Sequence, residues 1–413
     1  MMIRQDGVAA RDRAALVFAV PTVGHVNHCV ALAHLLRNAG FAPLLVTGHT
    51  MAGYLESLEL DLAWRVDPAF DLRFGSRRRD GRSHFEQVFD PAHVAAAFDH
   101  AVTLINHTNA ALVVSKDYVA PHLAGAARRV PTASYLTDGL GPLLDHRIRQ
   151  RRLGQGMADG FLSVAAQWGV EEAAQVCVAS PAPGTLRLVR GFPEMEDALT
   201  AATAADALFL GALVFDGSPA EIDRWRRRVR RGGRPLVYVN LGTVAYHPGP
   251  YRRLLEAITP LDVDILVACL NLDFAAIGPL PDNVRLERYV PNVAALEAAD
   301  LMVHHGGHGG LLSALCTGTP SLVAPLNTLT SAQGHHGDIV ERLGVGFKIA
   351  DDDSGDAIRA AAQLALGPAC RTRAANLAER LGRRTTELQA SATERLAAVR
   401  RSARNPERLS RGP

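Results

Sequence analysis

The feature of this sequence that most restricts its fold is an alternation of apolar runs with segments of helical periodicity. The run "AALVFAV" at residues 14–20 has the length of a buried strand, and "HCVALAHLLRNAG" at 28–40 carries apolar residues at helical spacing before a glycine stop. A second strand, "FAPLLVTG", follows at 41–48. Strands that alternate with helices predict a parallel sheet covered by those helices.

The same alternation begins again in the second half of the chain, at "RRGGRPLVYVNLGT" (230–243). Further predicted strands are 264–270, 284–290, 301–305 and 320–326, and the helices are 251–258, 293–299 and one that begins near Gly309. This half predicts a doubly wound domain of its own. We therefore expect an N-terminal domain over residues 1–212, a C-terminal domain over 213–385, and a polar helix and tail over 386–413.

Composition argues against several classes of partner. The 44 basic and 42 acidic residues leave a formal charge of +2, which favours neither nucleic acid nor an anionic membrane as the ligand. The five cysteines are scattered without C-x-x-C spacing, so neither a disulfide framework nor a zinc ribbon is indicated.

No apolar run reaches the length of about 18–20 residues that a membrane-spanning helix needs, and the first residues lack the flanks of a signal peptide. We expect a soluble, cytoplasmic protein that binds a small molecule.

In doubly wound domains, ligands collect at the carboxyl ends of the strands. The segment "HHGGHGG" at 304–310 follows a predicted strand and precedes a predicted helix, so its glycines could bring backbone N–H groups and the positive end of a helix to a diphosphate. A metal site on His304, His305 and His308 is disfavoured, because adjacent side chains at a strand end point to opposite faces. Taken alone, the glycines could equally serve close packing of helix against strand.

The segment "PTVGHVNH" at 21–28 follows the first predicted strand and contains His25. An imidazole, with an unperturbed pKa of about 6.5, is suited to remove a proton from a hydroxyl as that oxygen attacks carbon. A capping or core histidine would explain His25 alone equally well.

Several stretches resemble a known family, the two-lobed GT-B glycosyltransferases of the nucleotide-sugar-dependent, natural-product and UDP-glucuronosyl type. They are "GHVN" (24–27), "NLGT" (240–243), "YVPNVAALEAADLMVHHGGHGGLLSALCTGTPSLVAPL" (289–326) and "AQGHHGDIVERLGVG" (332–346). The resemblance implies an α/β fold of the GT-B type, in which two doubly wound, Rossmann-like domains face each other across a cleft.

The same resemblance implies a role for individual residues. His25 would be the general base, paired with Asp117 of "VVSKDYVAPHLA" (113–124), which would hold the imidazole and stabilise its charged form. A solvated loop carboxylate is the alternative for Asp117. The residues implied in donor binding are His305, Gly306, Gly307, Gly309, Gly310, Gly242 and Thr243 at the diphosphate, Tyr289, Val290 and Asn292 at the base, and Gln333 at the sugar. His304 and His308 match variable places and receive no role.

Two positions depart from the family pattern. Ser313 stands where many relatives have a glutamate that binds both ribose hydroxyls, which favours a dTDP-sugar over a UDP-sugar. Ala332 replaces the acid that precedes Gln333, which indicates a deoxysugar or a rearranged sugar pocket. His335 and His336 could line that pocket, but exposed loop histidines are the favoured interpretation.

The expected function is therefore that of an inverting, metal-independent glycosyltransferase of the hexosyltransferase type. Its partners would be a dTDP- or UDP-sugar, as co-substrate rather than cofactor, and a hydrophobic natural-product acceptor. A nucleotide-sugar epimerase of the same fold and a non-catalytic nucleotide-sugar-binding partner of another transferase are the alternatives. The loss of an acid at Ala332 disfavours the first, and the presence of His25 and Asp117 disfavours the second. The acceptor and the oligomeric state, a homodimer included, stay open.

Overall fold

The computed structural model describes residues 3–4, 13–72, 84–137, 155–180, 182–196, 207–229, 233–242, 245, 247–326 and 332–403. The chain divides into an N-terminal unit, residues 1–215 with 386–413, and a C-terminal unit, residues 216–385. This division falls three residues beyond the boundary expected from the sequence. The residues expected to form a separate helix and tail belong to the N-terminal unit.

The N-terminal unit contains a mainly parallel sheet. Its strands are β1 (Ile3–Arg4), β2 (Ala14–Ala19), β3 (Ala42–Thr47), β4 (Ala63–Val66), β5 (Leu112–Ser115), β6 (Thr132–Leu136), β7 (Leu186–Val189) and β8 (Ala207–Phe209). Their order is β1-β4-β3-β2-β5-β6-β7-β8, and every neighbouring pair is parallel except β1 with β4. The chain builds one side of the sheet from β2 to β4 and then the other side from β5, so the topological switch point lies between β2 and β5.

Helices cover both faces of this sheet. They are α1 (Val23–Asn38), α2 (Ala52–Ser57), α3 (His84–Phe89), α4 (Pro91–Thr108), α5 (Ala120–Ala127), α6 (Gln155–Ala166) and α7 (Glu171–Ala179), with short 3-10 helices at His49–Met51, Pro68–Phe70 and Pro193–Met195. Helix α1 begins five residues before the predicted helical segment, because Thr22 caps it: the Thr22 hydroxyl oxygen accepts the backbone N–H of His25. His25 therefore lies in the first turn of a helix rather than in a loop.

The C-terminal unit is a second doubly wound domain. Its elements are α8 (Pro219–Arg228), β9 (Leu236–Asn240), α9 (Pro248–Ile258), β10 (Asp264–Ala268), β11 (Val284–Glu287), α10 (Asn292–Leu296), β12 (Leu301–His304), α11 (His308–Thr317), β13 (Ser321–Val323), α12 (Gln333–Arg342), β14 (Gly346–Lys348), α13 (Gly355–Leu366) and α14 (Pro368–Ser402), with a 3-10 helix at Phe274–Ala276. The strand order is β11-β10-β9-β12-β13-β14, all parallel, with the switch point between β9 and β12. The predicted α/β class with two doubly wound domains is confirmed.

Helix α14 is shared between the two units. Its residues up to Thr385 belong to the C-terminal unit, and its last turns belong to the N-terminal unit. Ala392 and Leu396 are fully buried there, in the core that also contains Val26 and Leu32 of α1. Among the described residues, no helix is both long and apolar enough to cross a bilayer.

The substitution Leu396→Ala tests this assignment of the last turns of α14. We expect it to lower the free energy of unfolding by about 2–5 kcal/mol, because it leaves a cavity in the core of the N-terminal unit. The exposed Glu394 on the same turn provides the control, and Glu394→Ala should change stability by less than about 0.5 kcal/mol. Urea unfolding followed by tryptophan fluorescence measures both variants, and equal effects would contradict the assignment.

Candidate active site

The switch point of the N-terminal unit brings two predicted site residues to one edge of the sheet. Strands β2 and β5 pair in register through Phe18 and Ser115, so the chain leaves both strands at the same end. His25 follows β2, and Asp117 follows β5. The His25 ring is half-buried, and its Nδ1 atom lies 3.0 Å from the Thr22 hydroxyl oxygen. The cap of α1 thereby holds the backbone and the ring of His25 through one threonine.

Asp117 carries a feature that the sequence analysis missed, an ion pair with the adjacent Lys116. The Lys116 ammonium donates to an Asp117 carboxylate oxygen, with the lysine side chain 4% and the aspartate side chain 25% exposed. Asp117 itself has a left-handed backbone with φ of 70°. The sequence contains only two lysines, and the position of one of them next to a candidate carboxylate could have indicated this ion pair. A buried ammonium in contact with a carboxylate favours the ionised form of that carboxylate.

The charges of this ion pair act on the thiol of Cys29 in α1. Burial raises the pKa of Cys29 to about 12, and the charge of Lys116 lowers this pKa while the charge of Asp117 raises it. Cys29 is four residues after His25, so the two side chains share one face of the helix. The structure thus brings His25, Lys116 and Asp117 into one neighbourhood at the switch point.

The switch point of the C-terminal unit is occupied by His305. Strand β12 ends at His304 beside Asn240, the last residue of β9, and helix α11 begins at His308. A Cβ atom on Gly242 would lie 2.4 Å from the Cε1 atom of His305, and one on Gly307 would lie 2.5 Å from its Nε2 atom. Since both distances are shorter than real Cβ contacts, the imidazole fits only between two glycines.

His305 is neutral at neutral pH. Burial, with a smaller effect of His336, lowers its pKa to about 4, and the backbone carbonyl of Asn240 partly offsets this. Its Nδ1 atom is buried and has no hydrogen-bond partner among the described residues. A buried ring nitrogen without a partner costs free energy, so the enclosure of this ring between two glycines carries a cost in stability.

A network of side chains that sequence analysis did not identify supports this edge. The Asn240 amide donates to Asn292 Oδ1 at 2.9 Å and to the Tyr238 hydroxyl at 3.0 Å, and that hydroxyl donates to Asn292 at 3.1 Å. The side-chain oxygen of Asn240 accepts the N–H of Gly242 at 2.8 Å. The network joins two predicted site residues, Gly242 and Asn292, through strand β9.

The residues expected at the nucleotide base are largely engaged within the C-terminal unit. The Tyr289 hydroxyl donates to the carbonyl of Asp216 at 2.9 Å, Val290 is buried, and Asn292 belongs to the network just described. The ring of Tyr289 stays partly exposed. A base bound here would therefore meet the Tyr289 ring and backbone groups rather than free polar side chains.

Two further positions singled out from the sequence, Gln333 and Ser313, are buried in the C-terminal unit. The Oε1 atom of Gln333, at the start of α12, accepts the N–H of Leu326 at 2.7 Å. Ser313 is 2% exposed, so its hydroxyl is withdrawn from the surface that a ribose could reach. Thr243 lies outside the described residues.

Helix α11 begins at His308, within one residue of the predicted start, so Gly309 and Gly310 belong to its first turn. One local prediction beside these glycines is corrected. His336 is not an exposed loop histidine: it is buried in α12, because the helix begins at Gln333 and turns this side chain inward. Among the described residues, no group of three His, Cys, Asp or Glu side chains is arranged to hold a metal ion.

The substitution Gly307→Ala tests whether the His305 ring lies against Gly307. The backbone of Gly307, with φ of −65° and ψ of 137°, suits alanine, so its only obstacle is the His305 ring. We expect a loss of about 1–3 kcal/mol in stability in the wild-type background. In a His305→Ala background the same change should cost less than about 0.5 kcal/mol, because the clash is gone.

Chemical unfolding of the four proteins completes this double-mutant cycle. Gly24→Ala provides a control, because nothing lies within 4 Å of a Cβ at that glycine. Equal losses from Gly307→Ala in both backgrounds would contradict the proposed seating.

Comparison with known proteins finds similar glycosyltransferases. Residues 252–387 match the family described as erythromycin biosynthesis protein CIII-like, C-terminal domain. Elloramycin glycosyltransferase ElmGT of Streptomyces olivaceus is 27% identical over 329 residues, which span 75% of this chain and 80% of that protein. Oleandomycin glycosyltransferase of Streptomyces antibioticus is 34% identical over 149 residues, 35% of this chain and 33% of that protein.

A solved structure extends the likeness along the chain. Glycosyltransferase VinC in complex with dTDP covers 93% of this chain and 99% of its own, with 22% identity and a TM-score of 0.67. This similarity reflects a shared fold. The two doubly wound units, the family match over residues 252–387 and the curated relatives together make this chain similar to natural-product glycosyltransferases of the GT-B fold.

Proposed function

We propose that this protein is an inverting glycosyltransferase that moves a sugar from a dTDP- or UDP-sugar to a hydroxyl of a hydrophobic natural product. The observation that carries the proposal is the seat of His305 beside the glycine-rich N-terminus of α11, where the strand order of the C-terminal unit reverses. Nucleotides bind at this position in doubly wound sheets.

The N-terminus of α11 is suited to a diphosphate. Its N-cap is Gly307, no side chain caps its first N–H groups, and no acidic residue lies in its first turn. Free N–H groups and the positive end of the helix dipole both attract an anion. In this proposal they neutralise the departing diphosphate, the task that a divalent cation has in other enzymes.

Two observations favour dTDP over UDP as the nucleotide. VinC, which shares the fold, was solved with dTDP bound. Position 313 carries a buried serine, so no acid is present there to bind both hydroxyls of a ribose. A deoxyribose lacks one of these hydroxyls and makes no such demand.

His25 is the proposed general base. When its Nδ1–H donates to the Thr22 hydroxyl oxygen, the lone pair of the neutral ring is on Nε2, and Nε2 is the atom that we propose takes the proton of the acceptor hydroxyl. The acceptor oxygen forms a bond to the anomeric carbon as its proton passes to Nε2. The bond from that carbon to the diphosphate breaks on the opposite face, so the configuration inverts.

Asp117 is proposed to stabilise the imidazolium that results. Its carboxylate contacts the Lys116 ammonium, and the imidazolium would be a second cation that it attracts during the reaction. Asp117 therefore acts as an electrostatic partner of His25 and does not take the proton itself.

Turnover of a panel of dTDP- and UDP-sugars with polyketide aglycones tests the proposal. We expect a glycosylated product, and we expect His25→Ala to lower kcat about 10²–10⁴-fold while the Kd for dTDP stays within about threefold. Asp117→Asn should lower kcat in the same direction. His34→Ala, a histidine later on the same helix, is the matched control and should retain activity.

Three outcomes would contradict the proposal. They are an epimerised sugar nucleotide, inert binding of nucleotide with no turnover across the panel, and full activity of His25→Ala. The first two correspond to the epimerase and to the non-catalytic partner considered from the sequence.

A further inference from the structure

We propose that His304 and His336 are positioning residues that hold Gly306 from both sides and thereby aim the N–H of Gly307 at the donor diphosphate. This inference rests on the proposed function, because the diphosphate is the ligand that the N–H would bind. We refer to His304, Gly306 and His336 as the Gly306 clamp.

Two hydrogen bonds define the Gly306 clamp. The Gly306 N–H donates to Nδ1 of His304 at 3.2 Å, and Nδ1 of His336 donates to the Gly306 carbonyl at 2.6 Å. His304 is the last residue of β12, and His336 lies in the first turn of α12. Both side chains are about 1% exposed. The clamp therefore joins a strand and a helix through one buried peptide segment.

The clamp requires opposite tautomers in its two histidines. An N–H can only donate, so Nδ1 of His304 must carry a lone pair and its proton must be on Nε2. A carbonyl can only accept, so Nδ1 of His336 must carry a proton. Burial lowers the pKa of His304 to about 3, in agreement with a neutral ring.

The backbone conformation and the close packing at position 306 both require glycine. Its φ is 81°, and a Cβ atom there would lie 2.6 Å from the carbonyl oxygen of Gln333. The residue must be glycine both for its conformation and for the close approach of α12. The close approach of Gln333 and the two hydrogen bonds, from the N–H and to the carbonyl of Gly306, thus fix the backbone at this residue.

The clamp sets the direction of the next N–H group. In a trans peptide the C=O of one residue and the N–H of the following residue point in opposite directions. Because His336 draws the Gly306 carbonyl inward, the Gly307 N–H must point away from His336. Among the described residues this N–H donates to no acceptor, and Gly307 is the N-cap of α11. It is therefore an N–H held in a fixed direction with its donor capacity unused.

Matched substitutions separate this role from mere packing. An asparagine side chain places its amide near the position of a histidine Nδ1, whereas the longer glutamine places it near Nε2. His336→Asn should keep a donor to the Gly306 carbonyl, and His304→Asn should keep an acceptor for the Gly306 N–H. The two glutamine variants should lose these bonds although glutamine is closer to histidine in size.

Binding of dTDP to the full chain, measured by titration calorimetry, is the first readout. We expect both asparagine variants to stay within about threefold of the wild-type Kd and both glutamine variants to bind about ten- to a hundredfold more weakly. Thermal unfolding of each variant accompanies the titration. Equal dTDP affinity of the asparagine and glutamine variants at either position overturns the positioning role there.

The tautomers provide a second readout that needs no ligand. Long-range ¹H–¹⁵N spectra of protein labelled in histidine, assigned through His304→Asn and His336→Asn, should show Nε2–H for His304 and Nδ1–H for His336. The reverse tautomer at either residue overturns the clamp. If wild-type protein binds neither dTDP nor UDP, the proposed function fails, while the tautomers still decide whether the clamp exists.

Discussion

The proposed chemistry depends on the contact between the His305 ring and the two glycines that enclose it. Gly242 is the second residue after β9, and Gly307 is the N-cap of α11, so the ring contacts both segments that leave neighbouring strands of the C-terminal sheet. Any side chain larger than hydrogen at either glycine would displace the imidazole. The contact explains in physical terms why a histidine and glycines occur together here: the glycines make room for the ring.

Each unit uses its switch point in the same way. In both sheets, segments that follow the two strands flanking the switch point leave the same edge of the sheet. In the N-terminal unit these segments carry His25 and Asp117, and in the C-terminal unit they bring Gly242 against His305. The chemical character of the two edges differs. The N-terminal edge holds a half-buried histidine beside an ion pair, suited to proton transfer, and the C-terminal edge holds neutral histidines and an uncapped helix end, suited to an anion.

Long-range patterns in the sequence predicted the fold class and the order of strands and helices, because buried parallel strands are nearly continuous apolar runs. Local starts were less accurate. The predicted start of helix α1 is too late, because the cap at Thr22 precedes a polar, glycine-containing first turn. His336 lies in a helix although its polar and glycine neighbours predict a loop. The hydrogen-bond partners of the site residues could not be predicted from the sequence. Asn240 bonds to Asn292, and His336 bonds to Gly306, but the residues of each pair are far apart in the chain and meet only in the folded protein.

The most direct test of the account is a crystal structure of this protein with dTDP. We predict diphosphate oxygens within about 2.7–3.2 Å of the Gly307 N–H and of N–H groups in the first turn of α11, with the His305 ring still between Gly242 and Gly307. A diphosphate bound away from the N-terminus of α11, or a His305 ring displaced from its two glycines, would contradict the account.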